Sequence, residues 1–403
     1  MSQRWTSAAL CAAAVMMLAC PSAGHSAEMR GVTATEIKLG QTMPYSGPVS
    51  AFGALGKGEV GYFKMLNESG GINGRKVNLI SLDDSYAPPK TVEQTRRLVE
   101  SDEVALIFSS IGTAHNTAIA KYLQGKHIPQ LFVGSGASKF ADVAQYPQAT
   151  VGVQAPFRYE ARLYARYALA KNPDAKFAVI SQNDDFGRDY VAGIKDVLGE
   201  RYDERVTNAT YEIQDPTIDS QIVKLKSSGA DVLVIAATPK FAAQAIRKAH
   251  EINWKPMTFL ANVSVWINSV MKPAGFEAGT GIISTAYVKD PDDPAWKDDP
   301  GVKAWREFMT KYVPDGDQQD ANYINAYNSA MAMEAVLKAC GDDLSTENIL
   351  KHAFAIHDLE LPMLLPGIRI NTSPTDHVPV DQMQFMRFTG TSWERFGELQ
   401  SGN

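Results

Sequence analysis

The residues that could do chemistry are best weighed by spacing. GALGKG at 53–58 invites a phosphate-cradling loop, but that motif needs a glycine five residues before Gly56, where Ala51 stands. It also needs Ser or Thr where Gly58 stands, so glycines loosely placed near a helix start are the better account. The histidines form no HExxH pattern, and His352 and His357, five apart, do not share a helix face, so no metal centre is expected. There is no GxSxG elbow. The carboxylate pairs Asp83-Asp84 and Asp184-Asp185 sit at strand ends, where aspartates cap helices as readily as they do acid–base work; capping is the reading adopted. Nothing nominates an enzyme, and no cofactor is expected.

What recurs is a polar, small-residue turn after each apolar run: TMPYSGP, SSIGTAHN, VGSGAS, QNDDFG, AATPK and LANVS. In open parallel sheets, ligands bind beyond the carboxyl ends of the strands, and helix N-termini there present free N–H groups that suit carboxylates. The elements that must position these turns alternate. EIKLG reads as a strand, AFGALGKGEVGYFKMLNESGG as a helix ending at glycines, and KVNLISLDD as a strand. APPKTVEQTRRLVESD is a helix opened by prolines, followed by VALIFSS, TAHNTAIAKYLQGK and IPQLFV as strand, helix, strand. Near 146–160 the pattern restarts and runs through KFAVISQ, RDYVAGIKDVLGE, SQIVKLKSSG, ADVLVIAAT, PKFAAQAIRKAHEIN and MTFLANVSV. KDPDDPAWKDDPG reads as a surface crossing. Two helices follow, GVKAWREFMTKYV and DANYINAYNSAMAMEAVLKACG, then a tail of strands and turns. The alternation indicates two α/β blocks with parallel sheet.

A chain of 403 residues with 45% hydrophobic and 21% charged residues suits two soluble domains. A net charge of -6 gives no electrostatic reason to expect nucleic acid or an anionic membrane as partner. At the start, Arg4 precedes the apolar run TSAALCAAAVMMLAC, too short to span a bilayer, and PSAGHSA supplies small residues for cleavage. We read a signal peptide over 1–27, hence an exported protein; Met17-Leu18-Ala19-Cys20 approaches a lipid-anchoring motif, with methionine a poor fit at its first position. With Cys11 and Cys20 removed, Cys340 stands alone and forms no intramolecular bridge.

These stretches together resemble the type I periplasmic solute-binding proteins of ABC importers, in the leucine/isoleucine/valine-binding branch. The resemblance is carried by EIKLGQTMPYSGPVSAFG, by LNESGGINGRKVNLISLDDSYAPPKTVEQTRRLV, by IPQLFVGSGAS, NDDFGRDYVAGIKD and DSQIVKLKSSGADVLVIAATPKFAAQAIRKA, and by LPMLLPGIRINTSPTDHVPVDQMQ. It implies an α/β fold of two Rossmann-like lobes with parallel-rich sheets, joined by three hinge crossings. Lobe 1 would be 28–149 plus 288–362 and lobe 2 150–287 plus 363–403, closing on a ligand by hinge motion. The implied partners are a small carboxylate-bearing ligand, either a branched-chain or other amino acid or an amine-free aromatic or aliphatic acid, and the importer's membrane permease; the protein would act as a monomer in the periplasm. The same fold also serves ligand sensors.

The resemblance also implies residue roles. The ligand carboxylate would meet the turn Ser110 to Asn116, through N–H groups around Gly112 and Thr113 and the Thr113 hydroxyl, with Ser110, His115 and Asn116 beside them. Phe52 and Phe186 would contact the ligand from the two lobes. Tyr45 and Ser46 would belong to one wall of the cleft. The family's ammonium site takes a hydroxyl residue from the turn Gly134-Ser135-Gly136, an acid and a tyrosine; here Gly136, Val263 and Thr238 occupy those places. Gln154, Tyr159 and Asn262 would add polar contacts. The carboxylate half of the site is therefore expected to be kept and the ammonium half lost, which favours an acid without an α-amine, because a buried ammonium without an acceptor costs several kcal/mol.

Overall fold

A computed structural model describes residues 29–403 together with Met1. Apart from Met1, the expected signal segment, with Cys11 and Cys20, lies outside the described residues.

Two sheets organise the chain. The first contains β1 (Glu36–Met43), β2 (Lys76–Asp83), β3 (Leu106–Phe108) and β4 (Gln130–Leu131), all parallel in the order β2-β1-β3-β4. Between them run α1 (Gly53–Glu68), α2 (Pro88–Glu100) and α3 (Thr113–Gly125). The second sheet has the order β11-β10-β9-β8-β7-β5-β6. Its parallel part is β5 (Phe177–Gln182), β6 (Val206–Tyr211), β7 (Val232–Ala236), β8 (Met257–Leu260) and β9 (Ile283–Ala286). β10 (Gln382–Phe388) and β11 (Trp393–Ser401) extend it antiparallel, as the tail's alternating pattern suggests. Its helices are α4 (Phe157–Lys171), α5 (Asp185–Leu198), α6 (Asp219–Ser227) and α7 (Pro239–Glu251).

The central strands are buried on both faces, with Val179, Ile180, Leu233, Val234, Ile235 and Phe259 fully enclosed, as strands covered by helices on both sides must be. After β9 the chain returns to the first sheet. There α8 (Pro300–Tyr312), α9 (Asn322–Ala339) and α10 (Thr346–Ala353) precede a last passage into β10. The returning strands touch: Val288 and Leu364 form an antiparallel bridge, flanked by hydrogen bonds from Leu365 N–H to the Tyr287 carbonyl and from Lys289 N–H to the Met363 carbonyl.

Of the strands and helices labelled above, three fall where the sequence reading assigns none: β6, β9 and α10. VTNATY alternates as a strand should, but as an edge strand it is half exposed and lacks an apolar signature. IPQLFV yields only the two residues of β4, because Phe132 turns to φ +49° and ends the pairing. Asp184 does cap α5, accepting from Gly187 N–H at 3.2 Å. Asp84 instead holds the turn before α2, accepting from Tyr86 N–H at 2.9 Å and the Thr91 hydroxyl at 2.7 Å, while Ala87 occupies the cap position.

The glycines of GALGKG have a packing role. α1 lies so close to its neighbours that a Cβ on Gly58 would stand 2.6 Å from Ala326 Cβ on α9, and one on Gly61 2.7 Å from Val313 Cγ2. Alanine favours a helix by about 1 kcal/mol over glycine, but overpacking costs about 1–3 kcal/mol. Gly58→Ala is therefore expected to lower stability by up to about 2 kcal/mol on balance, read as an earlier urea midpoint at unchanged slope. A stabilised variant would contradict the close approach of α1 and α9.

Candidate functional site

The strand ends of the two sheets and the start of α9 enclose a cavity of about 80 Å³, counted as space open to the centres of water-sized spheres. That is room on the order of five waters, and so for one small molecule. Three strands of the first sheet end beside it in unusual turns. Tyr86 beyond β2, Ser109 beyond β3 and Phe132 beyond β4 have φ of +56°, +52° and +49°, and all three line the cavity. Left-handed backbone at a non-glycine residue costs on the order of 1 kcal/mol, and such residues cluster where function fixes the geometry.

At one end stands the N-terminus of α3. Gly112, at φ +107°, occupies the cap position without a capping side chain, so the first N–H groups of α3 have no helical acceptor. The macrodipole adds roughly half a positive charge there. Two hydroxyls sit beside it: Thr113 Oγ1 and Ser135 Oγ are 2.7 Å apart, and Ser135 Oγ already accepts from Ala137 N–H at 3.1 Å. One hydroxyl proton of the pair is therefore free to point into the cavity. The arrangement can hold a carboxylate.

The turn is braced from behind. Asn116 Nδ2 donates to the carbonyls of Ser110 (2.7 Å) and Gly112 (2.8 Å), and its Oδ1 accepts from Gln130 Nε2 at 2.8 Å. The Ser110 hydroxyl accepts from Thr42 N–H at 2.9 Å. A Cβ on Gly112 would meet His115 Nδ1 at 2.3 Å.

Aromatic rings make up much of the remaining wall: Phe52, Tyr86, Phe132, Phe157, Phe186, Trp266 and Tyr287. Phe157 and Phe186 meet edge-to-face at 4.8 Å. Polar side chains reach in from Ser109, Gln154, Thr238 and Asn262, and from Asn322, Asn325 and Ser329 along α9. Among the described residues that line the cavity there is no Asp, Glu, Lys or Arg.

The nearby buried carboxylates are already engaged. Glu160, fully enclosed, accepts from the hydroxyls of Tyr164, Tyr190 and Thr285 and from Asn262 N–H at 3.2 Å. Burial raises its pKa to about 6 against those donors. Asp184 accepts from Gly187 N–H and from Gln182 Nε2 at 2.8 Å. Neither presents an oxygen to a ligand ammonium.

The residues named from sequence divide by this geometry. Phe52, Gly112, Thr113, Gly134, Ser135, Gln154, Phe186, Thr238, Asn262 and Val263 line the cavity. Ser110 and Asn116 stand behind it as braces, and Gly136 packs where a Cβ would meet the Ala155 carbonyl and Gln154 Nε2, each at 2.8 Å. His115 is buried against Tyr86, ring centres 4.0 Å apart, and burial lowers its pKa. Tyr45 turns away to Ser81 Oγ at 2.6 Å, and Ser46 is exposed and donates to Asp83 Oδ2 at 2.7 Å. Tyr159 packs its Cβ near Gly402, beside Arg162.

Sequence reasoning missed several lining residues. Asn322, Asn325 and Ser329 carry a visible signal, polar residues at i, i+3 and i+7 on a mostly apolar helix. Tyr86, Phe132 and Phe157 read as ordinary core aromatics, and Trp266 and Tyr287 lie in irregular segments without pattern.

A model of the family described as periplasmic binding protein matches residues 36–392. A protein named Leu/Ile/Val-binding protein homolog 7, from Brucella abortus (strain 2308), is 23% identical over 334 residues, covering 81% of this chain and 82% of its own. Among solved structures, a branched chain amino acid ABC transporter from Thermus thermophilus with bound valine superposes with a TM-score of 0.80 at 17% identity, covering 92% of this chain and 97% of its own. A fatty acid ABC transporter substrate-binding protein from Thermomonospora curvata gives 0.75 at 18%, covering 92% and 94%. The fold is that of the type I periplasmic binding proteins, as the sequence resemblance led us to expect.

Behind Ser109 lies Glu59, fully buried on α1 and accepting from Gln41 Nε2. Burial pushes its pKa from 4.5 to about 8, with the Ser109 hydroxyl and the Gln41 amide opposing. The folded chain thus keeps a proton that the unfolded chain gives up, and that contribution to stability is lost as pH rises from 4.5 to 8. Glu59→Gln lacks the titration. Its stability relative to wild type is expected to climb between pH 5 and 8, by on the order of 1–4 kcal/mol, and to level off above. Urea titrations across that range check this; parallel curves would contradict it.

Proposed function

Because the chain belongs to the periplasmic binding protein family, we propose that it is an extracytoplasmic solute-binding protein that hands a small carboxylate-bearing ligand to an ABC importer. It does so without catalysis. The ligand is an aromatic or aliphatic acid that lacks an α-ammonium. The observation that carries this reading is the cavity's one-sided electrostatics: a helix N-terminus with two hydroxyls at one end, and no charged side chain among the described residues that line it.

In this reading, the free N–H groups of α3 and the Thr113–Ser135 hydroxyl pair hold the carboxylate. Charge-assisted hydrogen bonds of this type contribute about 1.5–3 kcal/mol each. The aromatic walls from both sheets surround the apolar part at about 25 cal/mol per Å² buried. A zwitterion would bring an ammonium to a wall that offers it no fixed carboxylate. One neighbour of this fold has bound valine and another is named for fatty acid transport, so the fold alone does not choose the occupant and the walls must decide.

Closure follows from where the walls come from. Phe52, Thr113 and Phe132 stand on the first sheet's side and Phe186, Thr238 and Trp266 on the second's, so a ligand touching both favours the closed arrangement over an open one. Residues 28–149 plus 288–362 would move against 150–287 plus 363–403, with the Val288–Leu364 bridge in the hinge.

Ligand-free protein is expected to melt higher in the presence of amine-free acids and to ignore amino acids. At 100 times the dissociation constant the stabilisation is about 2.7 kcal/mol, easily seen in a melting curve. Thr113→Val and Ser135→Ala should each weaken the responding acid by roughly tenfold or more. A response confined to amino acids would contradict the reading, as would acid binding indifferent to both substitutions.

A further inference from the structure

The first cavity does not end at its own wall. A second chamber of about 90 Å³, on the same measure, lies against it, and Asn262, Trp266, Tyr287 and Asn325 line both. Beyond those four side chains the second chamber has an apolar side, Val265, Ile267, Met386 and Trp393, and a polar one that includes Thr285, Gln319, Asp290, Asp293, Lys289 and Arg395. The cationic heads there already have partners: Lys289 pairs with Asp299 at 2.7 Å and Arg395 with Asp293 at 3.0 Å.

The shared wall carries an imbalance. Tyr287 donates its hydroxyl to Asn325 Oδ1 at 3.2 Å, and Trp393 donates its indole N–H to the Val265 carbonyl at 2.8 Å. Among the described residues, Asn262 Nδ2 and Trp266 Nε1 have no acceptor, although the two residues are only 6% and 8% exposed. Two buried donors without partners are uncommon, because each forfeits its hydration with nothing in exchange.

The backbone of each residue is held in place. Asn262 N–H is fixed on Glu160, and the Trp266 carbonyl accepts from Val270 and Met271 N–H, each at 3.0 Å, at the head of a π-helical turn spanning Ile267–Met271. Such turns occur mostly as single units, and frequently at functional sites.

We propose that Asn262 Nδ2 and Trp266 Nε1 donate to a second oxygen of the ligand, at the end remote from its carboxylate, and that the second chamber receives whatever lies beyond that oxygen. The substrate class is thereby narrowed to acids whose far end carries a hydroxyl, carbonyl or carboxylate oxygen across an apolar or aromatic spacer. This rests on the carboxylate reading given above, with the first anchor at α3.

Matched pairs differing by one distal group test it by calorimetry: benzoate with 4-hydroxybenzoate, 3-phenylpropionate with 3-(4-hydroxyphenyl)propionate, and hexanoate with adipate. For at least one pair the oxygenated member is expected to bind wild type roughly tenfold tighter, the yield of one or two hydrogen bonds to buried donors. In Trp266→Phe, which keeps a ring but removes the N–H, the ratio of the two dissociation constants should fall toward one. Asn262→Leu should lower it independently, which guards against one variant that fails to fold. If plain acids bind and the distal oxygen adds nothing, or if its gain survives both substitutions, the inference is overturned while the carboxylate reading stands. If no member of any pair binds, both fall together.

Discussion

A charge taken out of water must be met by fixed charges or dipoles, and that requirement governs this cavity. The compensation on offer is a dipole, not an ion: the uncapped start of α3, kept free of any side chain by Gly112 at φ +107°. Asn116, Ser110 and Gln130 tie the turn down so that its N–H groups point in one direction before any ligand arrives. Preorganisation of this kind removes reorganisation from the cost of binding. Opposite it, the buried acids are saturated by hydroxyl and N–H donors, so they stiffen the wall without offering a counter-charge.

Glu160 shows how the scaffold and the site are joined. It sits on α4, takes hydroxyls from α4, α5 and β9, and holds the backbone of Asn262 at the end of β8. One buried carboxylate thus fixes the position of a cavity residue relative to three elements of the second sheet. Buried polar networks of this type are costly when half satisfied and rigid when complete. On the other side, left-handed backbone at Tyr86, Ser109 and Phe132 does a similar job by ending strands abruptly and turning the next residues inward.

Much of the fold was legible because its signals are local. Alternating apolar runs, glycine stops after α1, the Pro88-Pro89 helix start and the polar turns after strands all follow from short-range rules. β6 was not, since an edge strand of half-exposed residues has little hydrophobic pattern, and β9 was hidden in a four-residue segment. In the site, the α3 turn could be found because it is a polar, small-residue run after an apolar one, and the family resemblance implied its role. Tyr45 and Ser46 had the right composition and the right loop, but their side chains turn to Ser81 and Asp83; direction is a tertiary property. Trp266 and Tyr287 reach the cavity through a π-helical turn and a crossing segment, neither of which has a sequence period.

The central claim is that the cavity recognises a carboxylate and gives no home to an ammonium. The most direct measurement is calorimetric comparison of L-leucine with 4-methylpentanoate on ligand-stripped protein, because the two share a carbon skeleton and differ by the amine. The account predicts that 4-methylpentanoate binds more tightly, by roughly tenfold or more given the several kcal/mol attached to an uncompensated buried ammonium. Tighter binding of leucine would contradict it and would mean that the closed cleft supplies an acceptor for the amine.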